Sequence, residues 1–208
     1  MILRKLEKTS RVKPTIAFYS YLNSAMMFCE SKLEMDALMK LEFDDSVESY
    51  VTQPTSYAYH VNGRLTRYTP DILVKYKDGH FVFVEVKPFA KSQSKRFIAK
   101  FHRLFQMFNE TIGHPFELWT CRNIRKEKRI QNFEQLYVFL NEALDDDINA
   151  RVLKDLKKVP DIRVSHVESV VAEYGQSPHY AWSMIAHQLF TFSNTNLLTR
   201  HSTLEIAA

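Results

Sequence analysis

The chain has two cysteines in 208 residues, Cys29 and Cys121, which stand far apart and form no CxxC pair. That spacing indicates neither a disulfide framework nor a cysteine-built structural zinc site. None of the eight histidines belongs to an HExxH-like pair. Any metal is therefore expected on oxygen ligands. No stretch approaches the roughly 20 apolar residues of a membrane span. The opening MILRKLEKTSRVKP meets a charge after three apolar residues, so the chain reads as soluble, intracellular and cytoplasmic. Internal repeats and low-complexity tracts are also missing.

With 45% hydrophobic and 13% aromatic residues, the chain can bury one good core, or a larger and a smaller one, and lies well outside the disordered range. Its formal charge of +4 permits an anionic partner such as nucleic acid without requiring one. The distribution of charge matters more than the sum.

After a basic arm containing Arg4, Lys5, Lys8, Arg11 and Lys13, Leu33, Ala37, Leu38 and Leu41 recur at helical spacing. Val51 to Tyr59 is rich in β-formers, Asn62-Gly63 signals a tight turn, and a second extended run goes from Leu65 to Tyr76. Asp78-Gly79 then turns the chain into Phe81 to Val86. Phe97, Phe101, Leu104, Phe105 and Phe108 form a helical stripe, and FELWTC after Pro115 is a short strand. A helix between two strands is a crossover, so the order predicts an α/β fold with a mixed sheet covered by helices. From Asn132 the strand signals nearly vanish. Helices are predicted over FEQLYVFLNEAL, Ile148 to Lys158, Val164 to Tyr174 and a segment after Ser177-Pro178 running through AWSMIAHQLF, with TNLLTRHSTLEI as a short terminal hairpin. The expected organisation is an arm over 1–14, an α/β domain over 15–130 and a small, mostly helical, winged-helix-like domain over 131–208.

The chemistry concentrates in YTPDILVKYKDGHFVFVEVKP, Tyr68 to Pro88. The run Phe81 to Val86 lacks polar alternation and is expected to be covered on both faces, where unpaired charge is costly. Yet it ends in Glu85 and Lys87, which share a face at a spacing of two. Hydrolysis of a phosphodiester with divalent metal needs acidic oxygens around the ion and a cation or base to orient water, and Asp71, Glu85 and Lys87 could supply them. The turn decides the outcome. A two-residue loop at Asp78-Gly79 would pair Asp71 with Val86 and separate the carboxylates, whereas a three-residue Lys77-Asp78-Gly79 loop with Gly79 left-handed pairs Asp71 with Glu85. The longer loop is predicted. Pro70, with no N–H, suits a strand start that opens to substrate. A buried Glu-Lys ion pair in a structural hairpin is the competing explanation.

Glu34 falls inside the apolar stripe of the first helix and is a candidate third acid, with Glu30 a second candidate by wheel position. Ser31 and Glu34 also fit the S-x-x-E capping box, in which the acid only satisfies a backbone N–H.

Taken together, FCESKLEMDALMKLEFDDSVESYVTQP and YTPDILVKYKDGHFVFVEVKP resemble the N-terminal nuclease domain of TnsA, the endonuclease subunit of heteromeric transposons. The shared pattern is a helix with S-x-L-E, then LEFD, QP, TPD and EVKP. It covers roughly residues 15 to 125, and agreement is strongest from Phe28 to Pro88. The resemblance implies a restriction-endonuclease-like PD-(D/E)xK fold in which Glu34, Asp71 and Glu85 hold Mg²⁺, with Mn²⁺ as the candidate substitute, and Lys87 assists the attacking water. It further implies cleavage of the 5′ strand of double-stranded DNA at transposon ends, alongside a partner transposase and an AAA+ ATPase regulator.

Lys91, Lys95, Arg96, Lys100 and Arg103 follow Lys87 on the wet side of the Phe97 to Phe108 helix and could track a phosphate backbone, with Ser92 or Ser94 helping at the helix start. A second basic run, Arg122, Arg125, Lys126, Lys128 and Arg129, is expected in a loop. Tyr57, Tyr59 and Tyr68 are candidates for base stacking or for cross-strand packing. Trp119 and Trp182 read as core residues, and His102 and His187 as surface or packing residues. Two other readings stay open: a stand-alone restriction or repair nuclease, and a non-catalytic nuclease-fold scaffold that binds DNA or partners.

Overall fold

A computed structural model describes residues 15–61 and 63–207. The basic N-terminal arm, and Asn62 of the expected Asn62-Gly63 turn, lie outside the described residues. The chain divides into two compact units, Met1–Arg125 and Lys126–Ala208.

The first unit begins with an antiparallel hairpin, β1 (Ile16–Ser20) and β2 (Ala25–Cys29), which the sequence patterns did not announce. Helix α1 (Lys32–Glu42) follows, started by the Ser31 hydroxyl accepting from the Glu34 N–H and burying Leu33, Ala37, Leu38 and Leu41. Then come β3 (Val47–Thr52), β4 (Tyr57–Val61), β5 (Arg64–Tyr68), β6 (Ile72–Tyr76) and β7 (Phe81–Lys87). The two long extended runs of the sequence are thus each cut in two. Gln53, held at a φ of +43°, and Pro54 end the first part of one run, and Pro70 interrupts the other. As a result β4 and β5 pair only with each other, as a separate antiparallel ribbon.

The main sheet has the order β3-β6-β7-β8, where β8 is Phe116–Thr120. β7 runs antiparallel to β6 and parallel to β8, so the sheet is mixed. The crossover between β7 and β8 holds a short helix, α2 (Phe89–Ser92), then α3 (Lys95–Gln106), which widens into a π-helical turn over Met107–Ile112. α3 and this turn bring Leu104 and Phe108 onto Tyr68, Leu73, Phe83 and Phe116. Phe105, expected in that apolar stripe, is 45% exposed instead. The unit closes with α4 (Cys121–Ile124), so part of the expected second basic loop is helical.

In the second unit α5 (Arg129–Tyr137) passes into a 3-10 turn, and is followed by α6 (Asp146–Leu156), α7 (Val164–Glu173) and α8 (Pro178–Ala186). α8 stops short of the expected Phe190 because Gln188 takes a left-handed φ of +62°. Two short strands, β9 (Phe190–Thr191) and β10 (Glu205–Ile206), pair antiparallel, and Arg163 bridges to Thr203 beside them. From α6 onward the order is helix, bridge strand, helix, helix, two strands. The loop between β9 and β10 is tied to α5 by Asn132, whose amide donates to the Asn194 side-chain oxygen and the Asn196 carbonyl, both at 3.0 Å, and accepts from the Leu198 N–H at 2.9 Å. Those bonds satisfy a fully buried amide.

Candidate active site

The turn between β6 and β7 has the longer form. Ile72 pairs with Val84 and Val74 with Val82, the Tyr76 N–H donates to the His80 carbonyl, and Gly79 takes a φ of +91° that a side chain would strain. Asp71 lies one residue before the Ile72–Val84 pair, next to Glu85 electrostatically. The Asp71 N–H donates to the Val84 carbonyl at 3.1 Å, and its own carbonyl accepts from the Gln53 N–H at 2.8 Å. Asp71 is thus anchored on both sides although it precedes the regular strand.

The Asp71 carboxylate turns toward β7 and accepts from the Val86 N–H at 2.7 Å. Glu85, only 4% exposed, accepts from the Tyr68 hydroxyl through one oxygen, while the other lies 3.1 Å from the Lys87 ammonium. Burial, and next the negative charges of Glu85 and Glu34, push the Asp71 carboxyl well above its ordinary range against the opposing pull of the Val86 N–H and Lys87. Burial first, and then the charge of Glu85, drive the Tyr68 phenol up as well, so it remains a donor. The site is short of positive charge.

Glu34 is near enough for its charge to act on Asp71. Its carboxylate, however, is turned into the capping box: one oxygen accepts from the Glu30 N–H at 2.8 Å and the other from the Ser31 hydroxyl at 2.7 Å. Among the described residues no three acid, histidine or cysteine side chains already stand close enough together to hold an ion. Asp71 and Glu85 nonetheless suit a hard divalent cation, being oxygen donors with a surplus of negative charge. Glu34 could join them only by releasing the two bonds of its cap.

Lys87 is 31% exposed at its side chain and opens onto a cleft of about 800 Å³, which Lys91, Arg96, Lys100 and Arg103 also line. Lys95 is exposed on the first turn of α3. Ser94 caps α3 by accepting from the Phe97 N–H, whereas Ser92 is buried and donates to the Phe89 carbonyl. Arg125 is committed elsewhere: its guanidinium sits 2.6 Å from buried Asp36, which Lys32 also approaches at 3.4 Å. Lys126 is exposed and falls in the second unit. Arg122 lies over the Phe89 ring.

Two residues at the site escaped sequence reasoning. Tyr68, a candidate for stacking or packing by sequence, also places its hydroxyl on Glu85; a hydroxyl on a strand that leads to Pro70-Asp71 is the available signal. Gln53 supplies the N–H that anchors Asp71 and is itself strained and 5% exposed, and its position before Pro54 was the clue. Trp119 is buried as expected, with its indole N–H donating to Glu117. Cys29 is an inert thiol, pushed up to about 12 by burial and then by the charge of Glu34.

The helix-flanked mixed sheet is consistent with a restriction-endonuclease-like fold. More particularly, residues 44–120, within the first unit, match the family model described as TnsA-like endonuclease N terminal, a similarity that supports a transposon-related nuclease. The matched stretch contains Asp71, Glu85, Lys87 and the basic face of α3 but begins after Glu34. A search among curated proteins gave no match. Among the described residues no helix is long and apolar enough to cross a membrane.

Proposed function

We propose that the chain is a Mg²⁺-dependent DNA endonuclease that cuts the 5′ strand at transposon ends in a complex with a partner transposase and an AAA+ ATPase regulator. The observation that carries this reading is the closeness of the Asp71 and Glu85 carboxylates, with Lys87 in contact with Glu85 and opening onto a cationic cleft, within the stretch that matches the TnsA-like endonuclease model.

A bound divalent ion would polarise the scissile phosphate and lower the pKa of the attacking water. Asp71 and Glu85 would hold it, and Glu34 would join by giving up its cap. Lys87, freed from Glu85 when the carboxylate turns to the ion, would orient the water and neutralise charge on the phosphate. Tyr68 would fix the other oxygen of Glu85. The oxygen of water would attack phosphorus and release a proton to solvent, the bond to the leaving sugar oxygen would break, and that oxygen would take a proton from solvent. Lys91, Arg96, Lys100 and Arg103 would guide the phosphate backbone toward this point.

The test is cleavage of labelled transposon-end DNA with Mg²⁺ and the neighbouring transposase and ATPase, comparing the wild type with Asp71→Ala and Lys87→Ala. Cutting of the 5′ strand by the wild type alone is expected. Equal cutting by all three would make the acid pair structural.

A further inference from the structure

The cleft beside Lys87 has two unlike walls. One is formed by α2 and α3, which present Lys91 and then Arg96, Lys100 and Arg103; the other is the β4–β5 ribbon. In the ribbon Tyr57 faces Tyr68, Tyr59 faces Thr66 and Val61 faces Arg64, alternating with the outward pairs Ala58–Arg67 and His60–Leu65. All four outward residues are exposed. On the inner face the base of the ribbon is consumed by packing, with the Tyr57 ring 5.5 Å from Phe83 and 5.0 Å from Phe108. Further toward the tip, Tyr59, Val61 and Thr66 line the cleft. The Phe97 ring lines the opposite wall, and among the described residues no carboxylate lines the cleft.

We propose that this cleft seats unpaired nucleotides of a DNA strand next to the reacting phosphate, with Tyr59 as the platform on which a base stacks. A duplex offers its phosphates to a basic face but hides its base faces in the stack, so the Tyr59 ring opposite the basic wall would go unused. A single strand presents both, and stacking on an aromatic ring beside a basic track is how proteins hold it without reading sequence. Charge complementarity selects an anionic occupant, and the open aromatic wall selects one with free base faces. The placement beside a cut rests on the nuclease reading above; the binding itself does not.

The experiment measures fluorescence anisotropy of the full chain in EDTA, with a labelled oligothymidine of about 12 nucleotides and a blunt duplex of the same length. The wild type should bind the single strand more tightly than the duplex. Tyr59→Ala should weaken single-strand binding roughly tenfold and leave duplex binding nearly unchanged, and Tyr59→Phe should restore it. Because Tyr59 also packs against the core, Thr66→Glu provides an independent probe that keeps the ring and sets a carboxylate among the cations; it should abolish single-strand binding. A duplex bound as tightly as the single strand, an equal loss on both ligands in Tyr59→Ala, or unchanged binding in Thr66→Glu would each overturn the proposal. Should Asp71→Ala still cut while single-strand binding behaves as expected, the nuclease assignment falls and the cleft stands as a binding site.

Discussion

Two corners of the first unit bury carboxylates in opposite ways. Glu42, at the end of α1, accepts from the Ser20 hydroxyl at 2.6 Å, the Tyr21 and Leu22 N–H groups at 2.9 and 3.1 Å, and the Tyr50 hydroxyl. It fastens the β1–β2 hairpin to the helix and to β3. Asp71 and Glu85 receive fewer donors, and the charge of Glu85 acts on Asp71, with Lys87 as the adjoining ammonium. A buried acid that serves the fold is surrounded by donors, whereas this pair is held together with a deficit of them. The second unit follows the first pattern: buried Glu168 has Arg200 at 2.6 Å and the Trp182 indole N–H at 3.0 Å. Its charge is matched within the unit.

That contrast can be broken most directly by neutralising each acid. Asp71→Asn or Glu85→Gln should cost at least about a hundredfold in the rate of DNA cleavage while the protein stays folded, as judged by its melting transition. Glu42→Gln should do the reverse, lowering unfolding free energy by about 2 kcal/mol in denaturant titration and leaving cleavage by the folded fraction intact. A catalytic loss in Glu42→Gln with unchanged stability would erase the distinction.

Cation addition sharpens it. Mg²⁺ at a hundred times its dissociation constant should stabilise the wild type by about 2.7 kcal/mol, visible as a rise in melting temperature that Asp71→Asn lacks. A smaller effect has a defined pH window. In EDTA, Asp71 titrates in the native state above its ordinary value of 3.8, so the folded protein binds that proton more tightly than the unfolded chain. Its ionisation therefore destabilises the fold as pH rises from the ordinary aspartate range through the raised native value. Asp71→Asn should accordingly be more stable than wild type near neutral pH and lose that advantage in acid. Tyr68→Phe should give the smallest change, about 1 kcal/mol of stability, with a modest loss of cleavage because both carboxylates of the acid pair remain.

Much of this site was legible before any coordinates. Period-two spacing placed Glu85 and Lys87 on one face, and a single glycine capable of positive φ distinguished the register that unites Asp71 with Glu85 from the one that separates them. The helices of the second unit were likewise visible from their apolar spacing. The ribbon was not. Its residues read as continuous extensions of β3 and β6, because propensity does not say where a strand leaves one sheet to pair elsewhere. The fate of Arg125 was equally hidden, since its partner Asp36 lies 89 residues earlier in the chain.

The sequence by itself therefore determined the local facts: which segments are helical or extended, which acids and cations are available, and which turn aligns the acid pair. Those depend on spacing and backbone stereochemistry over a few residues. Only the tertiary structure decided which charges are spent and which are free. Glu34 is held in its cap, Arg125 is drawn to Asp36, Tyr68 is turned onto Glu85, and the aromatic ribbon is folded against the basic helix. These outcomes depend on burial and on partners distant in sequence, because the cost of a buried charge is set by whatever else packs around it.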